Sequence, residues 1–253
     1  VTNEEISQRT IDEVHSSLEL YREIQRNSAK VLGLSLASKA GLAQSRSHAF
    51  TAELELWLGA VKSRPESELF DLAIREYQLG LILLSQGFYR HAFGNLRLFL
   101  ELSLAAVYFS AYLVQLREWQ HDMHDISWSQ LSCPENGILS VRFSNAFCSG
   151  LQGEVLSYLT MAKKLHRECS EYVHGNPSVM AEIGGPIVFN ERIFFEWHSK
   201  ADSAALLVTF TLAMRYLDEL TEIDLRTLET AIVDRVGHVQ TFRAKFGGSV
   251  EAT

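Results

Sequence analysis

Proline is scarce in this chain, with 4 in 253 residues, beside 15 glycines and 3 cysteines. So few breaking residues argue against a fold of many short strands and for long helices. Cys133, Cys148 and Cys169 form no CxxC pair. Their odd number sets up no disulfide framework, so a reducing, cytoplasmic setting is expected. Basic charge is also short: 23 Lys and Arg stand against 31 Asp and Glu, for a net charge of -8. A protein that lives on phosphate backbones usually carries a basic face, so any anion binding here must come from a local patch. There is no GxGxxG, no P-loop and no HExxH. No repeat and no low-complexity segment interrupts the chain. The polar, acidic start "VTNEEISQRTIDEVHSS" lacks the pattern of a signal peptide.

What is present is an ordinary globular composition, 47% hydrophobic and 21% charged, with enough apolar surface for a substantial core. The most apolar window is "LRLFLELSLAAVYFSAYLVQL", Leu96 to Leu116. It is long enough to span a bilayer, but Arg97 and Glu101 lie inside it. A buried helix is the better reading, and no membrane partner is expected.

Helical periodicity runs through most of the chain. Ile6, Ile11, Val14, Leu18, Tyr21 and Ile24 recur at helical spacing between Glu4 and Val31, on a charged background. A second helix is expected over Ser47 to Lys62. "SRPES" breaks the chain, and Pro65 suits the first turn of a helix reaching Ser85. "QGF" is a glycine-centred turn. A central helix then spans Phe88 to Trp119, apolar nearly all round. A loop with one short helical turn follows, helical pattern resumes near Ile138, and a helix from Gly153 ends at His174. "PIVFNERIFFEW" holds two short β-prone runs around Asn190 and Glu191, which predicts a small hairpin. Two further helices cover Asp202 to Leu220 and Asp224 to Phe246, with Thr221 and Asp224 resembling a capping box. The expected fold is all-α: an N-terminal helical extension over 1–64, one continuous helical domain over 65–246 with a small β-hairpin insert, and a flexible tail over 247–253.

Two stretches could carry chemistry. In "YRHAFGNLRLFLEL", Arg90, Gly94, Arg97 and Glu101 step by four, three and four and line one stripe of the central helix. Charges on a buried helix need partners, so Arg97 and Glu101 should satisfy each other or a neighbouring helix. They are either a structural ion pair or the polar floor of a site. In "HRECSEYVHGNP", seven helical steps bring Arg167 and His174 to within about 20° of one face and about 10 Å apart along the axis. Glu171 lies between them. Gly175, Asn176 and Pro177 stop the helix. His174 thus falls in its last turn, where the negative end of the dipole favours positive charge. A histidine can act as acid or base near neutral pH, and an arginine can hold a phosphate in its fork of donors. The bland alternative is a capping histidine, with Arg167 paired to Glu171.

Other candidates are weaker. In "HDMHD", the spacing of His121 and His124 could place two ligands on one turn, but no further cluster completes a metal site. Cys169 reads as a small core residue rather than a nucleophile. No cofactor and no metal is expected.

An Arg-x6-His motif at the end of a helix in an all-α chain resembles the HEPN superfamily. Arg167, the polar Glu168 and His174 match its pattern at the long limit of spacing. "GFYRHAFGNLRLFLEL" is similar to the "Y-x2-A-x3-LR-x3-E" helix of uncharacterised bacterial HEPN-like proteins, and "ECSEYVHG" to their second helix. The resemblance covers about Ser67 to Tyr216. It implies a helical bundle that often dimerises, and in many members a metal-independent endoribonuclease of antiviral defence or toxin–antitoxin systems. Arg167 would then steady the scissile phosphate and His174 would move protons at the ribose oxygens. Glu168, Glu171, Asn176, Arg97 and Glu101 would give polar support. Glu168 stands where the family often has Asn, Asp or His, and a carboxylate there repels RNA. The superfamily also contains non-catalytic members. The alternative is therefore a catalytically silent helical scaffold that docks a partner of a defence operon through its N-terminal helix. Binding of a nucleotide or small anion by Arg97 and Arg167 is a third reading.

Overall fold

The computed structural model describes residues 3–248, with side chains from His15 onward. Among these residues the order is α1 (Asn3–Ser35), α2 (Ser38–Val61), α3 (Ser67–Ser85), α4 (Tyr89–Phe109), α5 (Leu113–Gln120), α6 (Trp128–Leu131), α7 (Val141–Phe147), α8 (Gln152–Val173), α9 (Pro177–Ile183), α10 (Glu191–Tyr216), α11 (Glu222–Val236) and α12 (Gln240–Lys245), with a single 3-10 turn at Leu217–Glu219. No strand occurs among the described residues. The all-α reading is the one observed.

The centre of the bundle is α4, which packs against α3, α8 and α10. Phe93, Leu96, Phe99 and Ala105 on it are fully buried. α2 enters the same core through Phe50, Leu54 and Trp57, against α3, α10 and α11. Aromatic rings join these layers. Tyr77 of α3 lies 5.4 Å from Phe50, 4.9 Å from Phe99 and 6.0 Å from Trp197, centroid to centroid. The indole Nε1 of Trp197 donates to the carbonyl of Ala92, at 3.0 Å. Contacts of this kind orient helices beyond what area burial alone provides. α1 rests on α2 and α3 through its C-terminal end, where Val31 and Ser35 are buried. Every side chain from His15 to Glu23 is exposed.

The turn between α3 and α4 is centred on Gly87, as "QGF" predicts. Its φ of +84° favours glycine, and a Cβ there would meet Val31 and Ile187 at 3.0–3.3 Å. The expected cap at Thr221 also forms: its Oγ1 accepts from the Asp224 backbone N–H at 3.2 Å and donates to Asp224 Oδ2 at 2.6 Å.

Several expectations are corrected. The hairpin around Asn190 and Glu191 does not form. Asn190 instead caps α10, its side-chain oxygen accepting from the Ile193 N–H at 3.1 Å. Ile193, Phe194 and Trp197 then bury completely at helical spacing. The short apolar run belongs to a 3.6-residue period, with a cap in front of it. The central helix does not continue to Trp119. It stops after Phe109, where Ser110 Oγ donates to the Val107 carbonyl at 2.7 Å and accepts from Arg215 Nε at 2.7 Å. α2 begins at Ser38, ahead of the expected Ser47. Pro65 precedes α3 rather than lying in its first turn. The last expected helix is two, α11 and α12, parted at Gly237. Ile6, Ile11 and Val14, and the tail from residue 249, lie outside the described side chains.

Candidate functional site

The stripe predicted on α4 faces α8, and the two helices run antiparallel. Arg90 Nη2 donates to the Val173 carbonyl at 3.0 Å, satisfying one of the free carbonyls at the end of α8. One turn on, Gly94 faces Val173: a Cβ there would lie 3.7 Å from its Cγ2. Further along, Arg97 Nε donates to Glu101 Oε1 at 2.9 Å. His166 Nε2 lies 2.6 Å from the same oxygen. Both donors thus converge on one acceptor, and they stand 3.2 Å from each other. The His166 ring is held from its other side by Trp128, stacked at 3.8 Å with 4° between the planes. Burial acts to raise the Glu101 pKa. The hydrogen bonds from His166 and Arg97, with their charge, outweigh it and hold the carboxyl below its ordinary value.

This cluster leaves the far end of the Arg97 guanidinium free to reach the surface. Its Nη1 lies 3.5 Å from Nε2 of His174. His174 caps α8: its N–H donates to the Ser170 carbonyl at 2.9 Å, and Gly175 follows with φ at +72°. The Asn176 N–H donates back to the Glu171 carbonyl at 3.3 Å, which closes the helix end in the expected way. Asn176 also stands at the N-cap position of α9, its carbonyl accepting from the Met180 N–H at 2.9 Å, with Pro177 in the first turn.

Arg167 and His174 are both exposed. Among the described residues, Arg167 makes no hydrogen bond and no ion pair, to Glu171 or to any other group. Glu171 accepts the helix-end bond through its backbone only. Glu168 is neutralised: Lys200 Nζ lies 2.7 Å from its Oε2, and Lys164 3.9 Å from its Oε1. The structure therefore brings together Arg97, Glu101 and His174 of the residues singled out in the sequence. Arg90 of the same stripe bonds the end of α8, and the structure adds His166 and Trp128. It leaves Arg167 unpaired on the exposed face of α8.

The missed residues had little signal. His166 adjoins Arg167 in sequence, yet one helical step turns it by about 100° toward α4. Trp128 arrives from the short helical turn expected in "HDMHDISWSQLSCPENG", but no local pattern shows that its ring stacks on His166.

Cys169 is buried, and its thiol is pushed up to about 12 by that burial. It is unsuited to nucleophilic work. In "HDMHD", His121 bonds the Arg117 carbonyl through Nδ1 at 2.6 Å. His124 Nε2 lies 3.4 Å from Gln130. The two rings serve separate local contacts.

Compared with known proteins, the chain matches no family model, no curated protein and no solved structure.

Proposed function

We propose that the chain is a metal-independent endoribonuclease of the HEPN type, acting in bacterial antiviral defence or in a toxin–antitoxin pair. The observation that carries this reading is the exposed imidazole of His174, with one arginine at its ring and a second, about 10 Å away along α8, left unpaired. Arg97 is fixed from behind by Glu101 and points Nη1 at the ring. Arg167 is unpaired on the same helix face. A fixed guanidinium at the imidazole suits a phosphate that gains charge during reaction, and a free one farther along α8 suits a neighbouring phosphate of the same strand. The pairing of Glu168 with Lys200 removes much of the repulsion that a bare carboxylate would exert on RNA.

In this reading Arg97, its Nε still held by Glu101, gives its Nη1 hydrogen bond to the phosphodiester in place of His174 and so frees Nε2. The 2′-oxygen then bonds to phosphorus while its proton passes to Nε2. The bond from phosphorus to the 5′-oxygen breaks. That oxygen takes a proton from the imidazolium of a second copy, in the composite cleft that the resemblance implies. The products carry a 2′,3′-cyclic phosphate and a 5′-hydroxyl. End-group analysis of RNA cut in EDTA tests this: those ends are expected, whereas 5′-phosphate ends would rule the mechanism out.

A second reading has its own observation. Leu18 and Tyr21, three positions apart on one face of α1, are 47% and 69% exposed. An apolar strip of this kind fits a silent scaffold docked to a partner protein of a defence operon. In that case Leu18→Glu with Tyr21→Glu releases a stoichiometric partner, and the purified protein cuts no RNA.

A further inference from the structure

A groove of about 460 Å³ opens between α3, α4 and the end of α8. Glu76 lines it from α3, Arg90, His91, Asn95 and Leu98 from α4, and Val173 from α8. It adjoins the candidate site at the end of α8, where Val173, which takes the Arg90 hydrogen bond on its carbonyl, precedes His174. Its chemistry is divided. The carboxylate of Glu76 accepts from Asn95 Nδ2. Among the described residues, Glu76 is paired with no cation. The Arg90 guanidinium and the His91 ring are exposed. Arg90 is held in place by its bond to the Val173 carbonyl. Leu98 and Val173 supply the apolar surface.

A carboxylate without a cation, braced by a carboxamide, selects a ligand edge rich in N–H donors. The Arg90 guanidinium on the same groove selects a phosphate. Guanine presents two adjacent donors, N1–H and N2–H, on its Watson–Crick edge. Adenine and cytosine present one amino group there, and uracil one imide N–H. Single-stranded RNA exposes these edges, and proteins read them by hydrogen bonding. We infer that this groove binds the guanine of a guanosine nucleotide, with Glu76 on its N1–H and N2–H and Arg90 near its phosphate. The inference rests on the ribonuclease reading and adds a base preference to it. The nucleotide held here is the one whose 2′-oxygen faces His174, so RNA is cut on the 3′ side of guanosine.

Binding of mononucleotides to the full chain tests the groove apart from the chemistry. Guanosine 3′-monophosphate is expected to bind about tenfold more tightly than the adenosine, cytidine or uridine 3′-monophosphates in calorimetry. Glu76→Gln, which swaps one acceptor for a donor, is expected to abolish that preference while phosphate-driven binding persists. Gly94→Leu, which projects a side chain toward Val173, is expected to weaken all four. Equal binding of the four nucleotides, binding of none, or a preference that survives Glu76→Gln would overturn the inference. Cleavage separates the two claims. Cutting of RNA with no bias for guanosine sinks the base preference alone. Guanosine binding without any cutting sinks the nuclease reading and leaves a guanine-nucleotide site.

Discussion

Arg97 Nη1 lies 3.5 Å from His174 Nε2, although 77 positions separate the two residues in the chain. The guanidinium spans from a half-buried carboxylate, Glu101, to an exposed imidazole. It is the one described arginine that joins the interior of the α4–α8 interface to the candidate site. Four expectations for variants follow from this and from the polar groups elsewhere in the bundle.

Removing Arg97 should affect catalysis more than binding. Loss of a pre-positioned donor for developing negative charge costs about 10²–10³ in turnover. Arg97→Ala is expected to lower kcat by that order with a small change in KM. Arg97→Lys should recover only part, because an ammonium cannot serve Glu101 and a phosphate with one rigid fork. Steady-state kinetics on a short RNA, with circular dichroism to confirm folding, gives the answer. A change confined to KM would mean that Arg97 only gathers RNA.

Glu101 should contribute to stability at neutral pH and lose that contribution in acid. Its carboxyl is held below the ordinary 4.5, because the bonds from His166 and Arg97 outweigh the opposing effect of burial. The unfolded chain then takes up this proton at higher pH than the folded one. The contribution is complete above the unfolded value and disappears as pH falls through the lowered folded value. Glu101→Gln is expected to cost about 1–3 kcal/mol at pH 7 and less near pH 3. Urea titrations at the two pH values measure it.

His198 gives a second acid dependence, centred at higher pH. Burial, with a smaller contribution from the charge of Arg46, lowers its pKa from 6.5 to about 4. Its Nδ1 bonds Ser47 Oγ at 2.7 Å, and its Nε2 has no hydrogen-bond partner. The folded state therefore resists a proton that the unfolded state accepts. Stability is complete above the unfolded value and is lost as pH falls from about 6.5 toward 4. On the order of 3 kcal/mol depends on this difference. A His198→Gln variant should show a flatter stability profile in that window. An unchanged slope would show that other groups govern it.

Arg215 fastens the end of α10 to the break after α4. It donates to Ser110 at 2.7 Å and to Glu219 at 2.6 Å, and its guanidinium lies 4.2 Å from the Phe147 ring centroid. Arg215→Ala should cost about 2–3 kcal/mol, since Glu219 is partly in water but the stacked surface is lost. Arg215→Lys should restore only a part of it. Thermal melts of the three proteins give the order.

The fold was legible where periodicity and punctuation agreed. Gly87 and Gly175 mark turns that no other residue takes easily, and the apolar stripes around them are regular. The failures have a common cause. Ile187, Val188 and Phe189 look β-prone one by one, but the cap at Asn190 and the buried spacing of Ile193, Phe194 and Trp197 decide the segment. The end of α4 at Ser110 depends on Arg215, a residue 105 positions away, so no local pattern announces it. The site divides in the same way. His174 at a helix end and the Arg97–Glu101 pair are local and readable. That Arg97, rather than Arg167, comes within reach of His174 depends on how α4 meets α8. His166 and Trp128 owe their parts to that same packing.

The central claim, that His174 and its arginines cut RNA without a metal, has one direct test. Purified protein is incubated with total RNA in EDTA, beside His174→Ala and Arg167→Ala variants confirmed to be folded. Cleavage by the wild type, lowered at least about 100-fold in His174→Ala and clearly reduced in Arg167→Ala, is the predicted result. Intact RNA at high protein concentration, or cleavage that persists unchanged in His174→Ala, would contradict it.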